Sequence, residues 1–365
     1  MTSYFIKDMT TKTKQLGRES FDINEQLEKL SRLKDPLEKL TDRIDFEVFR
    51  ETLNEIYEKK ARKSQAGAKP YDYVLMFKII ILQRLYNLSD EQTEFQLNDR
   101  LSFKRFSGLG LSAKVPDTNT IWTFKERLKE NENEKKLFAC FYKELEKQKL
   151  IVSAGKMVDA SFHEVPRQRN SREENKEIKE GKIPEEWEKE ENKHKLAHKD
   201  VEARWTKKNN ETYYGYKNHI KADVGSKLID DYRVTAANVH DSQVLAELLD
   251  EKDAGQDFYA DSAYTGEDQE ESIKKVKMIN QVHEKGYKNK PLTEEQKESN
   301  RGKSKYRARV EHIFGFVETS MKGTYLRSIG RVRASVIIGL TNLAYNICRS
   351  VQLGINMLRE KCVQA

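Results

Sequence analysis

The chain has few cysteines and no long uninterrupted apolar run, and both shortages narrow the class of protein. Its 365 residues include three cysteines, which show neither metal-ligand spacing nor the even count of a disulfide framework. The expected compartment is therefore a reducing cytoplasm. The N-terminus shows no signal-peptide apolar region, and the apolar stretch 336–358 is interrupted by asparagine, arginine and glutamine. That stretch predicts a core helix, and we expect no membrane partner.

Charge is plentiful and unevenly distributed. Charged residues make up 35% of the chain and the formal net charge is +7, which indicates a soluble protein with a large charged surface. Residues 285–333 contain 13 Lys and Arg against 5 Asp and Glu, whereas residues 163–211 contain 13 of each kind. A concentrated basic region suits a phosphate backbone. Charge alone leaves an ordinary solvated surface equally open.

The first 150 residues are predicted to be helical. We divide them into an N-terminal helical segment at 1–70, which ends in a linker-like stretch at 66–70, and a helical DNA-binding domain at 71–150. Residues 73–86 are strongly apolar and must be buried.

A helix-turn-helix-like pattern lies inside 71–150. Ser89 and Gln92 form a capping-box pattern, a glycine-rich turn follows at 108–110, and Asp117 is placed to cap a helix over 118–129. Short helices joined in this way resemble a DNA-reading motif, although helix pairs of this kind are also common as plain structure. The residues that the second helix would offer to DNA are Asn119, Trp122, Lys125 and Arg127.

The character of the chain changes after residue 156. Runs of β-formers predict strands, with a helix after the third run and two helices at the end, so that residues 151–355 form a mixed α/β sheet packed with helices. The predicted strands cover 157–165, 213–224, 228–235, 257–264 and 277–283, and the predicted helices cover 241–249, 306–321 and 334–358. A highly charged segment at 167–210 interrupts the pattern as an insertion that is partly helical.

Two acids break apolar strands in this region. Asp159 lies within the first predicted strand, and Asp261 lies at the end of the apolar part of the fourth. A buried carboxylate must be paired or ligated, because burial of a bare charge is unfavourable. Metal-dependent phosphodiester chemistry needs carboxylates on a rigid frame, so a metal site is one interpretation. A structural salt bridge is the alternative for each aspartate.

Glu311 lies on a predicted helix with two distinct faces. An apolar stripe runs through Val310, Ile313 and Phe314, whereas Arg307 and Glu311 lie four residues apart on another face. This arrangement suits a helix laid beside metals and phosphates, and an exposed helix with routine ion pairs is the alternative.

Seven short stretches resemble, in order, the transposases of the insertion sequence 5 family. They span roughly residues 70 to 350, and their sequences are YNLSD at 86–90, PDTNTIWTF at 116–124, VDA at 158–160, YGYKNHI at 214–220, AANVHD at 236–241, ADSAYTG at 260–266 and RARVEH at 307–312. The resemblance implies an RNase H-like catalytic core in which the first and fourth strands are adjacent. It also implies a catalytic and metal-binding triad of Asp159, Asp261 and Glu311 that holds two Mg²⁺ ions, with Mn²⁺ as a possible substitute.

The chain departs from the family pattern on the last catalytic helix. Ser304 stands where the family has a tyrosine, and Glu318 stands where it has a lysine, with Lys322 one turn later. These departures leave open which residue holds the terminal phosphate. The further candidates for phosphate contact are Lys217, Lys221, Arg307, Arg309 and Lys322, with His240 as a candidate auxiliary residue near the metals, and for each a plain surface or capping role is the alternative.

The sequence therefore predicts a DNA transposase that binds the terminal inverted repeats of its own element and carries out metal-dependent strand cleavage and strand transfer. Its expected partners are double-stranded DNA and a second copy of itself, because two DNA ends must be joined together. A catalytically inactive DNA-binding regulator and a plain RNase H-like nuclease remain as alternatives.

Overall fold

Helices make up the N-terminal part of the chain, as predicted. The structure is a computed structural model that describes residues 23–58, 69–287 and 290–354, so most of the predicted linker at 66–70 lies outside the described residues. The helices are α1 Ile23–Arg32, α2 Pro36–Arg43, α3 Arg50–Tyr57, α4 Tyr73–Leu85, α5 Asp90–Asp99, α6 Leu101–Ser107, α7 Thr118–Leu128 and α8 Asn133–Lys147, with 3₁₀ turns at Phe46–Phe49 and Glu130–Glu132.

Local signals in the sequence determine where these helices begin and end. The Ser89 hydroxyl accepts from the backbone N–H of Gln92, whose side chain accepts in return from the N–H of Ser89, so the predicted capping box is confirmed. Gly108 ends α6 in the left-handed region at φ 82°. Asp117 caps α7 by accepting from the N–H of Thr120 at 2.7 Å, as predicted.

The second part of the chain forms a mixed sheet. Its strands are β1 Lys156–Glu164, β2 Arg204–Lys208, β3 Glu211–Asp223, β4 Ile229–Ala236, β5 Asp257–Tyr259 and β6 Ile279–Asn280. The main path runs β4–β3–β1–β5–β6, in which β4, β3 and β1 are antiparallel neighbours and β5 and β6 run parallel to β1. The adjacency of the first and fourth predicted strands, now β1 and β5, is confirmed.

The fourth and fifth predicted strands are shorter than expected. β5 ends at Tyr259 because Asp261 accepts from the N–H of Ala263 and starts a 3₁₀ turn at Ser262–Tyr264. The predicted helix at 241–249 is a 3₁₀ turn at Asp241–Val244 followed by one helical turn, α12 Leu245–Leu248. Another 3₁₀ turn covers Glu251–Asp253, and α13 Glu267–Lys275 precedes β6.

The charged insertion is ordered around one buried carboxylate. It contains α9 Arg172–Lys179, α10 Glu185–Glu188, a 3₁₀ turn at Glu190–Asn192 and α11 Lys193–His198, and it ends in β2, which pairs with the first part of β3. Asp200 is 2% exposed and accepts from the hydroxyl of Tyr216 at 2.7 and 2.8 Å and from the N–H of Gly330 at 3.0 Å. The insertion is thereby joined both to the sheet and to the start of the last helix.

The predicted helix at 306–321 differs in the structure. A helix already begins at Glu294, where Thr293 and Gln296 form a capping box, and the helical segment is divided at Ala308. Its parts are α14 Glu294–Arg307, α15 Arg309–Gly315 and a π-helical turn at Phe316–Ser320. The start was missed because no residue of α14 is buried, so an apolar stripe cannot reveal it.

The last helix, α16 Arg331–Gln352, lies at the centre of the molecule and packs against β4, α4 and α8. It is buried along most of its length, and its asparagines bind the sheet: Asn342 exchanges hydrogen bonds with Asn218, and Asn346 binds the backbone of Ile229. These pairs explain why polar residues interrupt an apolar helix. No described helix is long and apolar enough to cross a membrane.

Candidate active site

Two aspartates lie side by side on neighbouring parallel strands. The register pairs Lys156 with Phe258 and Met157 with Tyr259, an offset of 102 residues. The same offset separates Asp159, within β1, from Asp261, two residues after the end of β5, and the two carboxyl groups are close enough for the charge of Asp261 to raise the pKa of Asp159. The two predicted strand-borne acids are thus brought together by the sheet itself.

Asp159 lies in an electrostatically unfavourable place for an anion. Burial, with the neighbouring charge of Asp261, raises the pKa of Asp159 to about 6, although the N–H of Ala160 and the cations Arg307 and Lys208 act in the opposite direction. The Ala160 N–H donates to Asp159 Oδ1 at 2.8 Å. A carboxyl with a pKa near neutrality in a functional cleft is a candidate for chemistry and for cation binding.

Arg307 connects this pair of acids to the predicted third acid. Its guanidinium donates from Nη1 to Asp159 Oδ2 and from Nη2 to Glu311 Oε1, each at 3.3 Å. The Glu311 side chain is 64% exposed, and within the described residues no three His, Cys, Asp or Glu side chains come close enough to hold a metal ion. The structure therefore brings Asp159 and Asp261 together, whereas Glu311 is connected to Asp159 only indirectly, because both carboxylates accept hydrogen bonds from Arg307.

The donor set of the two aspartates suits a divalent cation. Both supply carboxylate oxygens, which Mg²⁺ prefers, and a bound cation would stabilise the ionised form of Asp159, whose pKa is raised first by burial and then by the charge of Asp261. The three predicted acids stay a prediction as a metal triad.

Three further side chains near the aspartates were not singled out from the sequence. Tyr264 is 1% exposed, its hydroxyl has no hydrogen-bond partner among the described residues, and the charges of Asp241, Asp159 and Asp261 raise its pKa further after the larger effect of burial. Tyr264 lies in one of the stretches shared with the insertion sequence 5 family, so the resemblance could have identified it as a candidate site residue. Lys208 approaches from β2, and no sequence pattern could reveal it, because β2 lies within uniformly charged sequence.

His283 is the third of these neighbours. Its Nε2 lies 3.3 Å from the Ser304 hydroxyl, on the helix that carries Arg307. Burial lowers the pKa of His283, and the charges of Arg307 and Lys303 lower it further, so the imidazole is neutral at physiological pH.

Two of the predicted phosphate contacts are buried in ion pairs in this structure. Lys221 is 1% exposed and forms an ion pair at 2.5 Å with Asp253, and Lys217 is 7% exposed and forms one at 2.8 Å with Asp241. Both project from β3 into the interior of the fold, so neither ammonium group is available to a DNA backbone. The alternative of a plain surface role does not describe either lysine, because Asp241 and Asp253 from neighbouring elements pair with them inside the fold.

The remaining predicted contacts lie on several surfaces. Asn119 and Lys322 are exposed, and Lys125 forms an ion pair with Asp90. Arg127 lies over the ring of Tyr57 at 5.8 Å, and Arg309 donates to the carbonyl of Val224 at 2.8 Å. The ring of His240 is exposed and caps the turn Asp241–Val244 by accepting from the N–H of Ser242 at 3.4 Å, so its capping alternative is present.

Comparison with known proteins gives two family matches and one structural likeness. A family model described as Transposase DDE domain matches residues 152–347, and one described as Transposase domain (DUF772) matches residues 25–127. Among solved structures, the chain is similar to a piggyBac transposase in a cryo-EM synaptic complex with hairpin DNA. The identity is 13%, the TM-score is 0.40, and the alignment covers 86% of this chain and 76% of the other. A TM-score at that level does not by itself define a fold.

Proposed function

This chain belongs to the family of DNA transposases that carry a DDE domain, and we propose that it cleaves the ends of its own insertion sequence and joins them to target DNA. The proposal rests above all on the parallel register that sets Asp159 beside Asp261. The assignment to insertion sequence 5 within the family stays a prediction from the shared stretches.

Asp159, Asp261 and Glu311 are proposed to hold two divalent cations, Mg²⁺ or in its place Mn²⁺. Cations of this kind polarise a phosphodiester and make an attacking oxygen more nucleophilic. Asp159 must be ionised to bind a cation, and its pKa of about 6 means that it is mostly ionised above pH 7. Glu311 would approach the aspartates once the contact through Arg307 rearranges.

The chemistry consists of two displacements at phosphorus. In the first, a water oxygen forms a bond to the phosphorus at the transposon end, the bond to the 3′ oxygen breaks, and a free 3′-hydroxyl results. In the second, the oxygen of that hydroxyl forms a bond to a phosphorus of the target, the bond from that phosphorus to the target's 3′ oxygen breaks, and the target strand leaves with a free 3′-hydroxyl. One phosphodiester thus replaces another, and no covalent bond to the protein forms. Arg307 is placed to bind phosphate oxygens beside Asp159.

The helical part of the chain is proposed to bind the terminal repeats. Asn119 on α7 is exposed, and Lys322 and Arg309 belong to the basic segment beside the site. Two ends must be cut and joined together, which is why we propose a homodimer. The proposed place of action is the bacterial cytoplasm, on the nucleoid.

The test is strand cleavage and joining on the element's own terminal DNA with Mg²⁺. We expect wild type to cut and join, whereas Asp261→Asn binds the same DNA and does neither. Asp257→Asn is the matched control, because Asp257 lies four residues earlier at the start of β5, where it accepts from Tyr259 and Gln281. It should retain activity.

Each alternative has its own outcome in this assay. Cleavage without joining would favour a plain nuclease, and DNA binding without metal-dependent cleavage would favour a regulator. Full activity in Asp261→Asn would show that the assigned acids are not the reactive site.

A further inference from the structure

A cavity of about 670 Å³ lies between the two parts of the chain that the family models match separately. One wall is formed by the start of α5 and by α7, and the other by residues 325–337, which lead into α16. Apolar side chains from Leu88, Ile329 and Val336 line part of it. Its volume falls in the range of about 300–1,000 Å³ that is typical of sites for small organic groups.

The walls of this cavity are held together by side chains that bridge the two parts. Arg333 binds Glu126 through two hydrogen bonds of 2.7 and 2.9 Å. Arg327 donates to both the carbonyl and the side-chain oxygen of Asn87 at 3.1 Å, and Asn87 donates to the carbonyl of Lys322 at 2.6 Å. The cavity is therefore a built feature of the fold, formed between positioned walls.

Two arginines in the cavity lack a carboxylate. Arg84 is 8% exposed, and among the described residues its side chain donates one long hydrogen bond, of 3.4 Å, to the carbonyl of Leu88. Across the described chain, neither Arg84 nor Arg327 lies within ion-pair distance of an acid. Desolvation first, and then the charge of Arg327, lower the pKa of Arg84 to about 10, although Asp90 acts in the opposite direction. Two cations that repel each other in a partly enclosed space form a binding site for an anion.

The nearest acid cannot fully neutralise them. Asp90 already accepts from Lys125 and, at 2.6 Å, from the side-chain amide of Gln83. Lys125 is itself a partly buried cation whose pKa is lowered by desolvation and then by the charge of Arg84. Three carboxylates, those of Asp90, Glu91 and Glu126, lie among five lysine and arginine side chains in the lining, so the cavity keeps a positive excess.

Aromatic rings are exposed beside these cations. Trp122 on α7 is 49% exposed and Tyr325 on the opposite wall is 43% exposed, and both line the cavity. The guanidinium of Arg327 lies 5.9 Å from the centre of the Tyr325 ring. Exposed rings next to cations are the combination with which proteins bind unpaired nucleic acid, because bases stack on the rings while phosphates meet the cations.

The cavity is connected directly to the strand that carries Asp159. The carbonyl of Thr324 accepts from the N–H of Glu164, and the N–H of Leu326 donates to the carbonyl of Glu164, each at 2.8 Å. Glu164 ends β1, five residues after Asp159, which is about 16 Å along an extended strand. Tyr325, which lies between Thr324 and Leu326 and lines the cavity, is thus joined to the end of the strand that carries Asp159.

We propose that this cavity binds an unpaired segment of a DNA strand, with a base on Trp122 and a backbone phosphate between Arg84 and Arg327. The proposal rests on the proposed function, since cutting one strand frees an end that can leave the duplex. Duplex DNA is a poor occupant, because its bases are stacked on each other and present no free face to the indole. An acidic peptide would satisfy the arginines and would leave the rings without a partner.

The test compares binding of an oligothymidine strand and of a duplex of equal length, each with a fluorescent label, by anisotropy. Loss of one stacked base costs about 1–3 kcal/mol, which corresponds to a loss of affinity of about five- to 140-fold. We expect that loss for the single strand in Trp122→Ala and a change of less than about twofold for the duplex. Trp122→Phe keeps a ring and should recover most of the affinity.

Matched controls separate the cavity from general effects. Trp205 is 46% exposed on the sheet edge and does not line the cavity, so Trp205→Ala should bind the single strand like wild type. Arg327→Ala should weaken single-strand binding more than Arg301→Ala, which removes a cation that is 79% exposed on α14.

The outcomes separate this proposal from the proposed function. If wild type binds and cuts duplex ends but does not bind the single strand, or if Trp122→Ala and Trp205→Ala behave alike, the cavity proposal is overturned and the transposase activity stands. If wild type fails to cut under any condition while single-strand binding still depends on Trp122, the proposed function is wrong and the cavity is still a site for unpaired DNA.

Discussion

Replacement of Asp159 by asparagine should stabilise the folded protein at neutral pH. The substitution keeps the shape of the side chain and removes a buried negative charge beside Asp261. A pKa of about 6 against an ordinary 3.8, at about 1.36 kcal/mol per pH unit, corresponds to about 3 kcal/mol of unfavourable free energy when the carboxylate is ionised. Asparagine also places a polar amide in the site, so about 3 kcal/mol is the upper end of the expected gain.

The pH dependence of this gain has a defined direction. Because the folded-state pKa of Asp159 lies above its unfolded value, the folded protein binds more protons than the unfolded chain between about pH 3.8 and 6. The free energy of unfolding of wild type therefore falls as the pH rises through that interval, by the amount that the ionised Asp159 disfavours the folded state. The advantage of Asp159→Asn should be small near pH 4 and complete above about pH 7.

Urea denaturation at several pH values, with a metal chelator present, measures this difference. Glu311→Gln is the matched control, because the Glu311 side chain is 64% exposed and its pair with Arg307 should contribute at most about 1 kcal/mol. Added Mg²⁺ should stabilise wild type and not Asp159→Asn, so the difference between their free energies of unfolding should become smaller. A gain that is the same at pH 4 and pH 8, or a loss of stability at both, would refute the electrostatic account of Asp159.

Two further substitutions test the interior of the fold. Lys221→Met should lower the free energy of unfolding by about 3–5 kcal/mol, because Asp253 stays buried without its closest partner. Urea denaturation measures that loss, and a DNA-binding assay should show that the affinity for duplex DNA is unchanged. Gly339→Ala should cost about 1–3 kcal/mol, because the added Cβ would lie 2.1 Å from the hydroxyl of Tyr232. Gly315→Ala, where the Cβ meets open space, is the control for thermal unfolding and should not destabilise the protein.

The strand-borne part of the site could be predicted because local rules determine it. Asp159 and Asp261 each interrupt an apolar β run, and an acid in such a run has few structural explanations. Once the two strands are neighbours and parallel, an alternating backbone of fixed rise places equivalent residues at the same level. The caps at Ser89 and Asp117 follow from equally local signals and agree with the structure, whereas the adjacency of the first and fourth strands was implied by the resemblance to the insertion sequence 5 family.

Sequence patterns do not reveal the surroundings of a side chain where residues distant in the chain determine them. Lys217 and Lys221 alternate with apolar residues along β3, a pattern that by itself predicts a strand with one solvent-exposed face. Both faces of β3 are covered in the structure, and Asp241 and Asp253 come from loops whose positions no local pattern specifies. A buried lysine paired with a distant acid looks the same in sequence as an exposed lysine.

The same distinction explains why the third acid is the least determined part of the site. Glu311 follows the break at Ala308, on a short helix whose placement depends on packing and not on strand register. Its link to the aspartates runs through Arg307 by two contacts of 3.3 Å, with the carboxylate largely in solvent, so little energy fixes its position. The strands thus hold two acids rigidly, whereas the third lies on an element that can respond to DNA. On the proposed function, assembly of all three acids would depend on substrate, which would limit cleavage to bound transposon ends.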